Sequence, residues 1–207
     1  EHFKPSTLIG LTATPERLDE KRLAQVFGSY QSNLSLQEAI ERALLPPIRA
    51  FRIETNIDLS EVRYNGVDYT HGDLQRTILI PSRDRVVVDV VKKYFGPDGI
   101  QKQGVIFCVS VNHAKRMAKL LNDEGISAQA VSGEDRNNSA RAIADYETGK
   151  TRFLCACSLL SEGWDAPRTS ILVMARPTMS KVLYMQQLGR GTRSHPGKEA
   201  LYVLDVV

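Results

Sequence analysis

The sequence predicts an α/β protein built on a mostly parallel sheet with helices on both faces, and three observations carry that expectation. From Pro81 onward, short apolar runs alternate with longer amphipathic stretches in the order helix, strand, helix, strand. Strands separated by helices of about 10–15 residues favour parallel pairing with both faces covered. The runs at 104–109 (GVIFCV) and 152–157 (RFLCAC) are apolar enough to read as buried strands. Polar sequences fall between the runs, and in such sheets ligands meet the loops at the carboxyl ends of strands.

Taken in order, 7–12 (TLIGLT) reads as a lone strand stopped by Ala13-Thr14-Pro15. Ser35 and Glu38 have capping-box spacing, and Leu36, Ile40, Ala43 and Leu44 continue a helical pattern until Pro46-Pro47. Residues 48–53 are strand-like, and 48–80 reads as a connector with some β structure, punctuated at Asn65-Gly66. Val87, Val90, Val91 and Tyr94 suit one helix face, although the β-branched run at 86–88 leaves a strand open. After the strand at 104–109, Asn112 offers an N-cap, Met117, Leu120 and Leu121 mark an apolar face, and Gly125 supplies a stop. A strand at 126–131, a helix from Asp135 to about Thr148 ending at Gly149, and strands at 152–157, 171–174 and 201–204 bring the strands of this region to five.

The chain has 207 residues, 42% hydrophobic, 25% charged and 7% aromatic, which excludes disordered, collagen-like and disulfide-scaffold classes. Its length suits one complete domain plus a part of another. No apolar run is long enough for a membrane span, and the chain opens on Glu1 without a charged-then-apolar leader. Cys108, Cys155 and Cys157 sit in apolar runs without ligand-spaced histidines, so the expectation is free thiols, no metal site and a cytoplasmic, monomeric protein. Between Asp165 and Glu199 there is no acid, while Arg168, Arg176, Lys181, Arg190, Arg193 and Lys198 supply six positive charges. That run reads either as a solvated basic face or as a surface made for phosphate.

Gly149-Lys150-Thr151 has the look of a P-loop tail, but Ala144 stands where the first Gly is required, and a helix precedes the Lys where a strand should. Gly149 reads as a helix C-cap. No Asp-Glu pair closes an apolar strand, since Asp19-Glu20 and Asp123-Glu124 lie in charged stretches. Taken alone, the chain has no evident means of holding Mg-ATP.

The strongest chemical signal is 186–193 (QQLGRGTR). Two arginines three apart, on a turn loosened by Gly189 and Gly191, project guanidinium forks on one side, a geometry suited to phosphate oxygens. Gln186-x-x-Gly189-Arg190-x-x-Arg193 resembles the sixth signature motif of superfamily 2 helicases, and 161–167 (SEGWDAP) resembles the fifth. Residues 11–15 (LTATP) resemble the third and 104–112 the fourth, while Ser132-Gly133 followed by Arg141 resembles a nucleic-acid-contacting segment between fourth and fifth. The motifs stand in family order across essentially the whole chain, and the nearest subgroup resembles DEAD/DEAH-type motors related to restriction-enzyme motor subunits and repair translocases.

The resemblance implies two RecA-like domains clamping ATP between them, with nucleic acid lying across both. Residues 1–30 would be the end of the first domain, 31–83 a connector and 84–207 the complete second domain, a three-layer RecA-like unit. ATP and Mg2+ would then be held chiefly by residues outside this chain, which accounts for the failed P-loop search. Arg190 and Arg193 would be arginine fingers, with Gln186 positioning their loop. Gly163, Asp165 and Gly189 would line the nucleotide, the Asp165 carboxylate accepting from ribose or bonding back to the finger loop. Ser110, Ser132, Gly133, Cys157 and Ser158 would contact the nucleic-acid backbone, with ordinary capping and turn roles as the alternative. Thr12 and Thr14 would couple hydrolysis to domain movement. Cys157 stands where many relatives have Thr, Ser158 where they have an acid, and Trp164 where an aliphatic residue is usual, which suggests a packing role for the indole. DNA is the favoured partner over RNA. The rival reading is a non-catalytic nucleic-acid-binding or scaffold module that keeps the fold without turnover.

Overall fold

The computed structural model describes residues 34–157 and 164–207. The expected strand at 7–12, Thr12, Thr14, Ser158 and Gly163 lie outside the described residues. The described elements are α1 (Leu36–Glu41), β1 (Ile48–Ile53), α2 (His71–Ile78), α3 (Pro81–Phe95), β2 (Gln103–Phe107), α4 (Val111–Asp123), β3 (Ala128–Ser132), α5 (Arg136–Glu147), β4 (Phe153–Cys157), β5 (Thr169–Met174), α6 (Lys181–Gly189) and β6 (Leu201–Val206).

The strands form one sheet in the order β1-β6-β5-β2-β4-β3, with every neighbouring pair parallel. Six described strands replace the five expected from 104 onward, because Ile48–Ile53 pairs along its whole length with Leu201–Val206 and becomes an edge of the sheet. Alternation explains how the central strands cover two layers at once. Ile106 of β2, Cys155 of β4 and Ile171 and Val173 of β5 pack with Val87, Val91, Met117 and Leu121 of α3 and α4. Val105, Phe107, Leu154 and Leu172 face the other way, onto Ala142 and Tyr146 of α5 and Leu188 of α6. The result is a three-layer α/β fold of the RecA-like type.

Local chemistry sets the helix ends. Ser35 and Glu38 form the expected capping box, although α1 stops at Glu41 and buries only Ala39. The α4 cap is Ser110, two residues before the expected Asn112; its hydroxyl accepts from the His113 amide at 3.2 Å. Gly125 and Gly149 follow α4 and α5 at φ 75 and 83, left-handed values that a side chain disfavours. Gly149 is thus a helix stop, and the neighbouring Thr151 hydroxyl accepts from the Gln129 amide group. The β-branched run at 86–88 lies within α3, whose buried face is Arg83, Asp84, Val87, Val88, Val91 and Phe95, turned from the expected one, so that Tyr94 is exposed.

The segment between β1 and α3 covers part of the carboxyl-terminal end of the sheet. Leu74 and Ile78 of α2 pack with Val62 and with Val109, just beyond β2. His71 Nε2 donates to the Val109 carbonyl at 2.6 Å. Asp68 accepts from Arg176 at 3.0 Å and from the Met179 amide at 2.8 Å, tying the segment to the loop after β5.

Candidate functional site

In an all-parallel sheet, a loop leading from a helix into a strand lies at the amino-terminal end. The arginine sequence follows α6 and precedes β6, and residues 164–168 precede β5, so both loops lie there rather than at the carboxyl end where ligand loops are expected in such sheets. α6 begins at a Ser180 cap whose hydroxyl accepts from Leu183, and buries Gln187 and Leu188. Its end delivers Arg190 and Arg193 beside Trp164 and Asp165.

The two loops are joined by cations. Arg190 Nη1 donates to the Trp164 carbonyl at 2.6 Å. Arg193 Nη1 pairs with Asp165 Oδ1, with 48% and 58% of the two side chains exposed. Lys198 Nζ donates to the carbonyls of Pro167 at 3.2 Å, Gly191 at 2.5 Å and Arg193 at 2.8 Å. Burial pulls the Lys198 ammonium down to about 8. Trp164 packs behind the loop, its ring 5.6 Å from that of Tyr146, whose hydroxyl meets Thr169 Oγ1 at 2.8 Å.

The two glycines of the arginine sequence differ. A Cβ on Gly189 would meet open space, whereas one on Gly191 would stand 2.5 Å from Leu201 Cδ1 and 2.9 Å from Leu172 Cδ1. Gly191 therefore lets the loop lie against the sheet. Gln186, one turn earlier, is half-buried. Of the acid-free run's six charges, Arg176 is engaged by Asp68, Arg190 and Lys198 by carbonyls, and Arg193 by Asp165. The run is therefore not a bare basic face.

The residues expected to meet nucleic acid gather at the opposite end of the sheet, on the contiguous strands β2, β4 and β3. Ser132 pairs in register with Cys157, and Ser110 follows β2. Ser110 and Ser132 are buried, and the capping and turn roles are visible: the Ser132 amide donates to Ser139 Oγ at 3.0 Å, and that hydroxyl donates back to the Ser132 carbonyl at 2.8 Å. Gly133 is exposed, with open space where a Cβ would stand. Arg190, Arg193, Asp165, Gly189 and Gln186 are thus brought together, and Ser110, Ser132, Gly133 and Cys157 form a separate group.

Beside that second group is a buried polar network absent from the sequence expectations. Val109 N–H donates to His113 Nδ1 at 3.3 Å, which leaves the proton on Nε2 to be donated to Asp84 Oδ1 at 3.1 Å. Arg116 Nε donates to Asp84 Oδ2 at 2.6 Å. Burial alone would raise the Asp84 pKa, but the hydrogen bond from His113 and the hydrogen bond and charge of Arg116 outweigh it and hold the carboxyl below its ordinary value. Next to it, the buried Arg83 donates to Ala175 O at 2.9 Å and Val206 O at 3.2 Å, linking the ends of β5 and β6. Arg83 and Asp84 carry a legible signal, since two charges share the face of an otherwise apolar helical pattern.

Comparison with known proteins bears directly on these elements. The model of the helicase conserved C-terminal domain matches residues 87–195, just over half of the chain. The chain belongs to this family. It is 27% identical over 216 residues to a candidate ATP-dependent helicase, IRC3 of Saccharomyces cerevisiae, covering 100% of this chain and 31% of that protein. It is 28% identical over 215 residues to the type I restriction enzyme EcoAI endonuclease subunit of Escherichia coli, covering 93% and 26%. A structure of a fragment of a candidate HsdR subunit of a type I restriction enzyme from Vibrio vulnificus superposes with TM-score 0.76 at 24% identity, covering 94% of this chain and 38% of that one. The chain spans less than half the length of these curated relatives. The match includes both cation-joined loops, whereas the two charged residues of α3's buried face, Arg83 and Asp84, precede it. Among the described residues no group of three or more His, Cys, Asp or Glu could hold a metal ion, and no helix is long and apolar enough to cross a membrane.

Proposed function

We propose that this helicase C-terminal domain is the second RecA-like half of an ATP-dependent nucleic-acid translocase, completing the nucleotide site of a first RecA-like domain. Residues 1–30 would be the end of that first domain, 31–83 the connector and 84–207 the second domain, with the connector lending β1 to the sheet. The observation that carries this reading is the convergence of Arg190, Arg193 and Asp165 from two loops at the amino-terminal end of the sheet. Bound ATP would supply the phosphoanhydride cleaved by water, with Mg2+ held by residues outside this chain. The donor set fits a phosphate only in part: it offers guanidinium forks and no described metal cluster.

Arg193 swings its fork from Asp165 toward the γ-phosphate when the cleft closes, and Arg190, anchored on Trp164, holds the base of the loop. Gln186 and Gly189 shape the end of α6, and Gly163 and Asp165 line the nucleotide. Charge developing on the transferred group is stabilised by guanidinium fixed in advance, an effect of about 10³–10⁵ in rate. Thr12 and Thr14 couple hydrolysis to domain movement. At the other end of the sheet, Ser110, Ser132, Gly133 and Cys157 offer hydroxyls and backbone amides to a nucleic-acid backbone, and the motif resemblance gives Ser158 the same role. DNA is favoured over RNA because one relative is named as a restriction endonuclease subunit.

The test is nucleic-acid-stimulated ATPase of the full-length protein. Arg193→Ala lowers kcat by about 10³ or more, with nucleic-acid affinity retained and steeply salt-dependent. A robust wild-type rate that survives Arg193→Ala rejects the finger role, and absence of turnover with every nucleic acid favours a non-catalytic binding module.

A further inference from the structure

Lys198 bridges the two loops through a single ammonium group. Its three ammonium donors meet three backbone carbonyls: Pro167 O on one loop, and Gly191 O and Arg193 O on the other. Pro167 is two residues beyond Asp165, while the other two acceptors belong to Arg193 itself and to the residue after Arg190. The second loop is also pressed onto Leu172 and Leu201, since Gly191 leaves no room for a Cβ there. Lys102 Nζ donates to Gly197 O at 2.7 Å and Ser194 Oγ to Leu44 O at 2.9 Å, so the segment on either side of the lysine has its own attachments. Lys198 is the group that spans the two loops from the C-terminal side, as Arg190 does from the helix side.

We infer that Lys198 is a positioning residue for the arginine site: it fixes the separation of the 164–168 and 190–193 loops, and thereby where the Arg193 guanidinium stands relative to Asp165. The inference rests on the proposed role of Arg193. A lysine suits the task because its three donors diverge from one point toward three carbonyls. A planar guanidinium presents its donors in one fixed plane and cannot reproduce that convergence. Lys198 touches no reacting group, so its loss acts on turnover through loop geometry and not through substrate binding.

The experiment uses the full-length protein and compares wild type, Arg193→Ala, Lys198→Met and Lys198→Arg. For each, ATPase kcat and KM, the melting temperature and amide hydrogen exchange across residues 190–198 are measured. Lys198→Met is expected to lower kcat about 10- to 100-fold, the scale of an ångström-sized misplacement, with KM for ATP within about threefold and faster exchange confined to the arginine loop. Lys198→Arg is expected to keep the melting temperature and recover only part of kcat. A Lys198→Met protein with wild-type kcat beside an inactive Arg193→Ala overturns the inference alone. If Lys198→Met does not fold, a folded Lys198→Arg with full kcat overturns it as well, since charge and length would then suffice. Full activity of Arg193→Ala overturns the underlying reading of the arginine site, whatever the lysine variants do.

Discussion

At the carboxyl-terminal end of the sheet, Asp84 is wholly buried between His113 and Arg116, whereas at the amino-terminal end Asp165 and Arg193 pair with about half of each side chain in solvent. Both are carboxylate–guanidinium contacts joining separate elements, yet their physics differs. A buried pair with one partner removed leaves an uncompensated polar group, which is costly, while an exposed pair gains little because water competes for both charges. The first end therefore fixes the shape of α3, α4 and the loop after β2. The second holds an arginine where it can be exchanged for another anion at small cost.

The largest test of that contrast is Asp84→Ala. It leaves the His113 Nε2 donor, the Arg116 guanidinium and the neighbouring buried Arg83 without their carboxylate, and unfolding in urea should show a loss of about 3–5 kcal/mol. The lower part of that range is expected, since the Arg116 side chain is 33% exposed and can turn to water. The pH dependence follows from the lowered Asp84 pKa. The stability it contributes is fully present above the unfolded value, near 3.9, and is lost as pH falls through the lower folded value. Wild type should lose stability on acidification below about pH 4, and Asp84→Ala should show a flatter curve there. A loss under about 1 kcal/mol would place Asp84 with the exposed pairs and erase the difference between the ends.

An intermediate effect is expected at Gly191, where the arginine loop meets the sheet. Gly191→Ala puts a methyl group 2.5 Å from Leu201 Cδ1 and 2.9 Å from Leu172 Cδ1, and both leucines are fully buried. Overpacking of this kind costs about 1–3 kcal/mol. Gly189→Ala, which meets open space, is the matched control. Equal melting temperatures for the two variants would show that the loop lifts freely from Leu172 and Leu201, so that packing does not hold the arginines.

These two ends were not equally legible in the sequence. The central strands, α4 and α5 followed from apolar runs, caps and glycine stops, because those signals are local, whereas α6 reads only as a turn carrying the arginines. Ile48–Ile53 was readable as a strand but not as part of this sheet, since its pairing with Leu201–Val206 joins residues about 150 positions apart. The arginine site was legible because it rests on one contiguous string, and Asp165 was placed near it only through the motif resemblance. Lys198 reads in the sequence only as one charge of a basic run, solvated or facing phosphate, because nothing local marks an ammonium that turns inward onto carbonyls. Asp84, His113 and Arg116 were missed for the same reason: their partners come from two helices, and only the charged pair on the apolar face of α3 hinted at them.

The smallest expected effect on stability is at Asp165, and it is the most informative about the amino-terminal end. Asp165→Ala removes a contact between half-exposed charges, so urea unfolding should change by no more than about 1 kcal/mol. The loops remain joined by Arg190 on Trp164 O and by Lys198 on Pro167 O, neither of which uses the carboxylate. Arg193, however, loses the group that orients it. A long guanidinium side chain released into water regains rotamer freedom that must be lost again when it meets a phosphate. Turnover in the full-length protein should therefore fall about tenfold or more while stability stays level. Loss of stability without loss of turnover would reverse the assignment of the two ends, making Asp165–Arg193 a structural pair and leaving the arginine site to Arg190.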